Sequence, residues 1–83
     1  SSSEDINPDN LSLNDNLGDI LFNSEVQRLA KNHAKITIDK DMPILKPISK
    51  IPLKPISKIA TKLGAGEIIS MANQFLQTIE KDK

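Results

Sequence analysis

Eighty-three residues with no cysteine and only two aromatic side chains, Phe22 and Phe75, make one small domain at most, with no disulfide or thiolate metal site to brace it. Eleven basic and eleven acidic residues cancel, yet the signs are segregated: residues 1–25 carry six acids and no base, whereas residues 26–83 carry eleven bases against five acids. No apolar run approaches the roughly 18–20 residues that a membrane-spanning helix needs.

Residues 1–14 are polar, acidic and rich in Ser, Asn and Asp, with Pro8 among them. Such a segment has too little apolar surface to offset its ordering entropy, which predicts a disordered acidic leader. Residues 15–83 are then expected to form a single helical module. A helix over residues 15–33 can be capped by Asn14 or Asp15, with Arg28, Lys31 and His33 at its negative end. Leu17, Ile20 and Leu21 open an apolar face, and Phe22, Val26, Leu29 and Ala30 continue one at i, i+4, i+7 and i+8. The two sets do not share one stripe, and Ser24 to Gln27 matches a capping box, so the pattern admits one long helix or two with a break at Asn23–Ser24.

Residues 34–39 (AKITID) alternate apolar and polar, the pattern of a short half-buried strand. A lone strand cannot satisfy its own backbone groups, so it needs a partner from another molecule or serves as a linker. A turn at Asp39-Lys40-Asp41 follows.

The next stretch repeats itself. The unit LKPISKI occurs at Leu45–Ile51 and again at Leu53–Ile59, with Pro52 between the copies. Lys46, Lys50, Lys54, Lys58 and Lys62 recur every four residues, and no acidic residue lies between Met42 and Gly66. Pro43, Pro47, Pro52 and Pro55 predict an extended or turn-rich segment over residues 43–54. A helix is expected over residues 55–63, with Ile56, Ile59, Ala60 and Leu63 on one face. Gly64 is placed to end it, and Gly64-Ala65-Gly66 reads as a turn or a kink. The last helix, residues 67–80, carries Ile68, Met71, Ala72, Phe75, Leu76 and Ile79 on one face. The fold class is therefore mainly α: two to three helices, at most one short strand, and a disordered acidic leader.

Catalysis finds little footing. His33 is the only histidine, the carboxylates lack the paired spacing of a general acid and base, and His33 with Asp39 or Asp41 is too small a set for a metal. The Gly64–Gly66 joint lacks the lysine and further glycines of a phosphate loop. No enzyme, cofactor, metal or small-molecule substrate is expected. The expected function is protein–protein interaction or oligomerisation, with a protein partner or a second copy of the chain. Its surface would comprise Ile48, Ile51, Leu53, Ile56, Ile59 and Leu63 from the repeat region. The last helix would add Ile68, Met71, Phe75, Leu76 and Ile79. An alternative is electrostatic binding of nucleic acid through Lys46, Lys50, Lys54, Lys58 and Lys62, although no interleaved aromatic offers base stacking. The same lysines with their isoleucines also fit an anionic membrane surface. The order of strand, short helix, glycine joint and longer helix resembles that of dimeric ribbon-helix-helix DNA binders, from which the long proline-bearing linker departs.

Overall fold

The computed structural model describes residues 6–83. The stretch expected as one helix over residues 15–33 is two: α1 (Leu17–Leu21) and α2 (Ser24–Ala34). Asn23 makes the break. Its backbone is extended, and its side-chain oxygen accepts hydrogen bonds from the N–H groups of Glu25 (2.9 Å) and Val26 (3.1 Å). Its amide Nδ2 donates to the Glu80 carbonyl at 2.9 Å, so the buried Asn23 caps α2 and ties it to the C-terminus. Ser24, the residue that the capping-box pattern favours, instead donates its hydroxyl to the Asp82 carboxylate at 2.6 Å. Along α2, Arg28 donates two hydrogen bonds to Glu25, at 2.7 and 2.6 Å, and these hold the Glu25 carboxyl below its ordinary range. Both side chains face water, where such a pair adds little stability. Lys35 ends α2 in the left-handed conformation (φ 58°, ψ 31°).

No strand forms among the described residues. Residues 34–39 finish α2 and continue as an irregular connection; Ile36 is exposed, and the Ile38 carbonyl accepts from Gln27 Nε2 at 3.4 Å. The alternation of Ile36 and Ile38 is present in the sequence, but no neighbouring ladder exists to use it. The pairing strand of the ribbon-helix-helix layout is accordingly absent from these residues. The turn at Asp39 is present, with Met42 N–H donating to the Asp39 carbonyl at 3.0 Å.

Residues 43–54 are turn-rich rather than extended, with turns at 43–44 and 49–50 and a helix within each copy of the repeat. Both copies start a helix at their leucine: α3 (Leu45–Ile48) and α4 (Leu53–Ala60). Pro47 and Pro55 each fall at the third helical position, where a backbone N–H has no partner inside the helix in any case, so proline breaks no hydrogen bond there. In each copy the serine hydroxyl donates back to a lysine carbonyl, Ser49 to Lys46 and Ser57 to Lys54, both at 2.8 Å. The copies diverge at their eighth residue. Pro52 lies extended (φ −74°, ψ 139°) and stops the first helix, whereas Ala60 lets the second run on.

A wide turn, Thr61–Ala65, joins α4 to α5 (Gly66–Leu76). Gly64 sits there at φ 99°, ψ 5°, outside helical geometry, so α4 and α5 are two helices meeting across a kink at this residue. Gly64→Ala is expected to cost about 1–2 kcal/mol in urea unfolding, because alanine resists positive φ. Gly66 is helical, and a Cβ there would lie 3.5 Å from Thr61 Cγ2, so Gly66→Ala is expected to gain up to about 1 kcal/mol. Equal effects at the two glycines would contradict this geometry.

The expectation of a disordered leader over residues 1–14 is corrected for its described part; Ser1–Asp5 lie outside the described residues. Leu11 is 1% exposed, the most buried side chain of the core, with Leu76 and Ile79 beside it. Leu13, Ile20, Val26 and Leu29 pack around these three. Side chains of α5 and the residue after it hold the leader's backbone. Gln77 Nε2 donates to the Leu11 carbonyl at 2.7 Å, and its Oε1 accepts from Asn7 N–H, also at 2.7 Å. Asn73 Oδ1 accepts from Leu13 N–H at 3.1 Å, while Leu11 N–H reaches the Ile79 carbonyl at 2.8 Å. The last helix therefore stops short of residue 80, and Gln77–Glu80 turn back to meet the leader. The molecule measures 37 × 23 × 23 Å, long for its small core.

Candidate interaction surface

The residues expected to meet a partner separate into two groups. Leu76 and Ile79 point inward and complete the core with Leu11, so they leave the candidate surface. Ile48 and Leu53 are half-buried, and Ile51 is exposed near the contact between α1 and the first repeat copy. The remaining six are exposed. Ile56 and Ile59 on α4, with Leu63 in the following turn, occur at i, i+3 and i+7; Ile68, Met71 and Phe75 repeat that spacing on α5. Leu63 is 81% exposed.

The spacing explains why each helix can bury one edge and offer another. On α4, Leu53 and Ala60 are half-buried, while Ile56 and Ile59 are offset from them toward solvent. On α5, Leu76 is buried and Ile69 and Ala72 are half-buried, leaving Ile68, Met71 and Phe75 on the adjoining flank. Both helices thus have apolar stripes wider than the core can cover. Six large apolar side chains stand exposed along α4, its turn and α5.

Phe75 also closes one side of a shallow apolar groove of about 480 Å³, whose other lining residues are Val26, Leu29, Ala30 and His33 of α2. The α2 residues were legible as an apolar face but not as part of a surface shared with the last helix. No sequence signal says that Phe75, rather than a leader residue, lies opposite them.

All five lysines of the ladder are exposed. Among the described residues none of them pairs with a carboxylate; the ion pairs are Arg28–Glu25 and Lys81–Asp15, the latter at 3.4 Å. Lys54, Lys58 and Lys62 follow one another at four-residue intervals on the polar side of α4 and its turn, drifting by about 40° per step. Lys46 and Lys50 belong to α3 and the residues after it.

A second concavity, of about 490 Å³, lies between α1 and the C-terminus and is lined by Asp15, Asp19, Asn23, Lys81 and Asp82 among others. Lys81 pairs with Asp15 across it, Asn23 is fully engaged as a cap, and Asp82 holds Ser24. Among the described residues no three His, Cys, Asp or Glu side chains are placed to hold a metal ion. These groups are spent on tying the chain's two ends together.

The chain is thus a small, mainly helical module with two exposed apolar stripes on consecutive helices. Comparison with protein-family models, with curated proteins and with solved structures finds no match to any of the three.

Proposed function

We propose that the chain is a non-enzymatic helical interaction module whose working surface is formed by α4, the Gly64 turn and α5. One observation carries this reading: Ile56, Ile59, Leu63, Ile68, Met71 and Phe75 stand exposed at helical spacing along α4, its turn and α5. Isolated exposed apolar residues are ordinary, but an ordered pair of stripes is the mark of a binding face. The lysines on the polar side of α4 keep such a face soluble and give its approach to an acidic surface a preferred orientation.

Photo-crosslinking in cells that produce the chain tests this. Benzoylphenylalanine introduced at position 63 or 71 is expected to yield protein adducts, and the same probe at position 31, on the exposed side of α2, to yield none. No protein adduct at either stripe position would remove the reading.

A further inference from the structure

On the side of α4 away from that stripe, we infer a second working surface: Lys54, Lys58 and Lys62 hold the phosphate backbone of a nucleic-acid duplex.

The lysines and the apolar stripe divide α4 between them. At about 100° per residue, Lys54 and Lys58 lie about 170° and about 130° from the line through Ile56 and Ile59, and Lys62 follows one turn later. The half-buried Leu53, Ser57 and Ala60 occupy a third side, toward the rest of the fold. All three lysines are exposed, at intervals of about 6 Å along the helix axis. The extended Pro52 separates this row from Lys46 and Lys50.

The charge of the row is left over from folding. Five carboxylates serve the fold itself. Asp15 takes Lys81 and the Ser12 N–H, and Asp19 takes the Asn16 N–H. Glu25 takes Arg28, Asp39 takes the Asp41 N–H, and Asp82 takes Ser24. Among the described residues no ion pair reaches Lys54, Lys58 or Lys62, and Glu67, the first acid after them in the chain, is not paired with any of them. A chain of zero net charge thus presents one locally uncompensated positive row.

Its placement selects among anions. A bilayer would have to take up Ile56 and Ile59 while its headgroups met the lysines, and these lie on opposite sides of α4. A protein–protein contact draws most of its affinity from desolvated aromatic, apolar or arginine anchors near its centre, and the lysine side of α4 carries none. A phosphate backbone needs no such anchor, because point charges along a line suffice to release its condensed counterions. Both aromatic residues, Phe22 and Phe75, lie outside α4, so bases have nothing to stack on there. That selects a duplex over a single strand.

Fluorescence anisotropy of labelled DNA and RNA duplexes of about 20 base pairs, titrated with the full chain to about 300 µM, tests the inference. At about 50 mM salt, binding to one or both duplexes is expected, and it should weaken about 40-fold by about 200 mM, as three phosphate contacts require. The triple variant Lys54→Gln, Lys58→Gln, Lys62→Gln is expected to lose at least about 10-fold in affinity with unchanged helical circular dichroism, since its side chains are exposed. Lys31→Gln, Lys35→Gln, Lys40→Gln makes the same charge change on exposed lysines elsewhere, and its expected loss is below about 3-fold. Lys58→Gln alone should reduce the salt slope by about 1, and Lys58→Arg should preserve it. No binding to either duplex, an affinity indifferent to salt, or equal losses in the two triple variants overturns the surface. Tighter binding to phosphatidylserine vesicles or to polyglutamate than to both duplexes overturns the duplex as its partner. Crosslinking from positions 63 and 71 reads the apolar stripe, so the interaction reading stands or falls separately.

Discussion

Leu11→Ala is expected to be the most damaging truncation in the chain, lowering the free energy of unfolding by about 3–4 kcal/mol in a urea titration followed by circular dichroism. The side chain is 1% exposed and sits between Leu76 and Ile79, so its removal leaves a cavity in a core with no spare partners to close it. A domain of this length has a total stability of only about 4–12 kcal/mol. At the lower end of that range the loss leaves a visible unfolded fraction at room temperature. Ile59→Ala provides the contrast: the side chain is exposed, and the expected cost is below about 0.5 kcal/mol. A cost under about 1 kcal/mol for Leu11→Ala would mean that the leader is not part of the core. Hydrogen exchange at the Leu11 amide, bonded to the Ile79 carbonyl at 2.8 Å, provides an independent check on the same contact.

That contact is also where the sequence was least readable. Composition placed Leu11 and Leu13 in a disordered leader because so few apolar residues surround them locally. What orders them lies some sixty residues away: the amides of Asn73 and Gln77 stand in for a β-partner and satisfy Leu13 N–H and the Leu11 carbonyl. Two polar residues on a helix flank carry no signal of such a role. The prolines misled for the opposite reason, since a local rule was applied without its register. Proline disrupts a helix interior, but Pro47 and Pro55 stand three residues into new helices, where they cost nothing. The elements legible from the chain were those decided by local chemistry alone: the stripe on α5, the stripe on α4, and Gly64 as the residue that ends a helix. The surface residues divided along the same line. Helical periodicity identifies which side chains share a face, but the position of the core decides which of them, Leu76 or Phe75, that face conceals.

Gly18→Ala carries the second large effect, and its sign makes it informative. Gly18 lies inside α1, where exchange for alanine ordinarily stabilises a helix by up to about 1 kcal/mol. Here a Cβ would fall 2.5 Å from Ser49 Cβ and 2.8 Å from the Ser49 carbonyl oxygen. The Gly18 N–H donates to that same carbonyl at 2.9 Å, and Leu17 N–H donates to the Ile51 carbonyl at 2.9 Å. The first repeat copy therefore supplies the acceptors that the opening turn of α1 lacks, and it can do so only because glycine allows the backbones to touch. Pushing them apart sacrifices both bonds and opens the seam, so Gly18→Ala is expected to destabilise by about 2 kcal/mol or more in urea unfolding. Ser49→Gly removes the nearer of the two clashing atoms but leaves the carbonyl in place. Adding it to Gly18→Ala should restore part of the loss, with a coupling of about 1 kcal/mol in a double-mutant cycle. A stabilising Gly18→Ala, or strict additivity of the two changes, would mean that α1 and the first repeat copy do not meet in solution. The repeat would then keep only its second copy, α4, as a structural element, and the lysines of the first would be free of the fold.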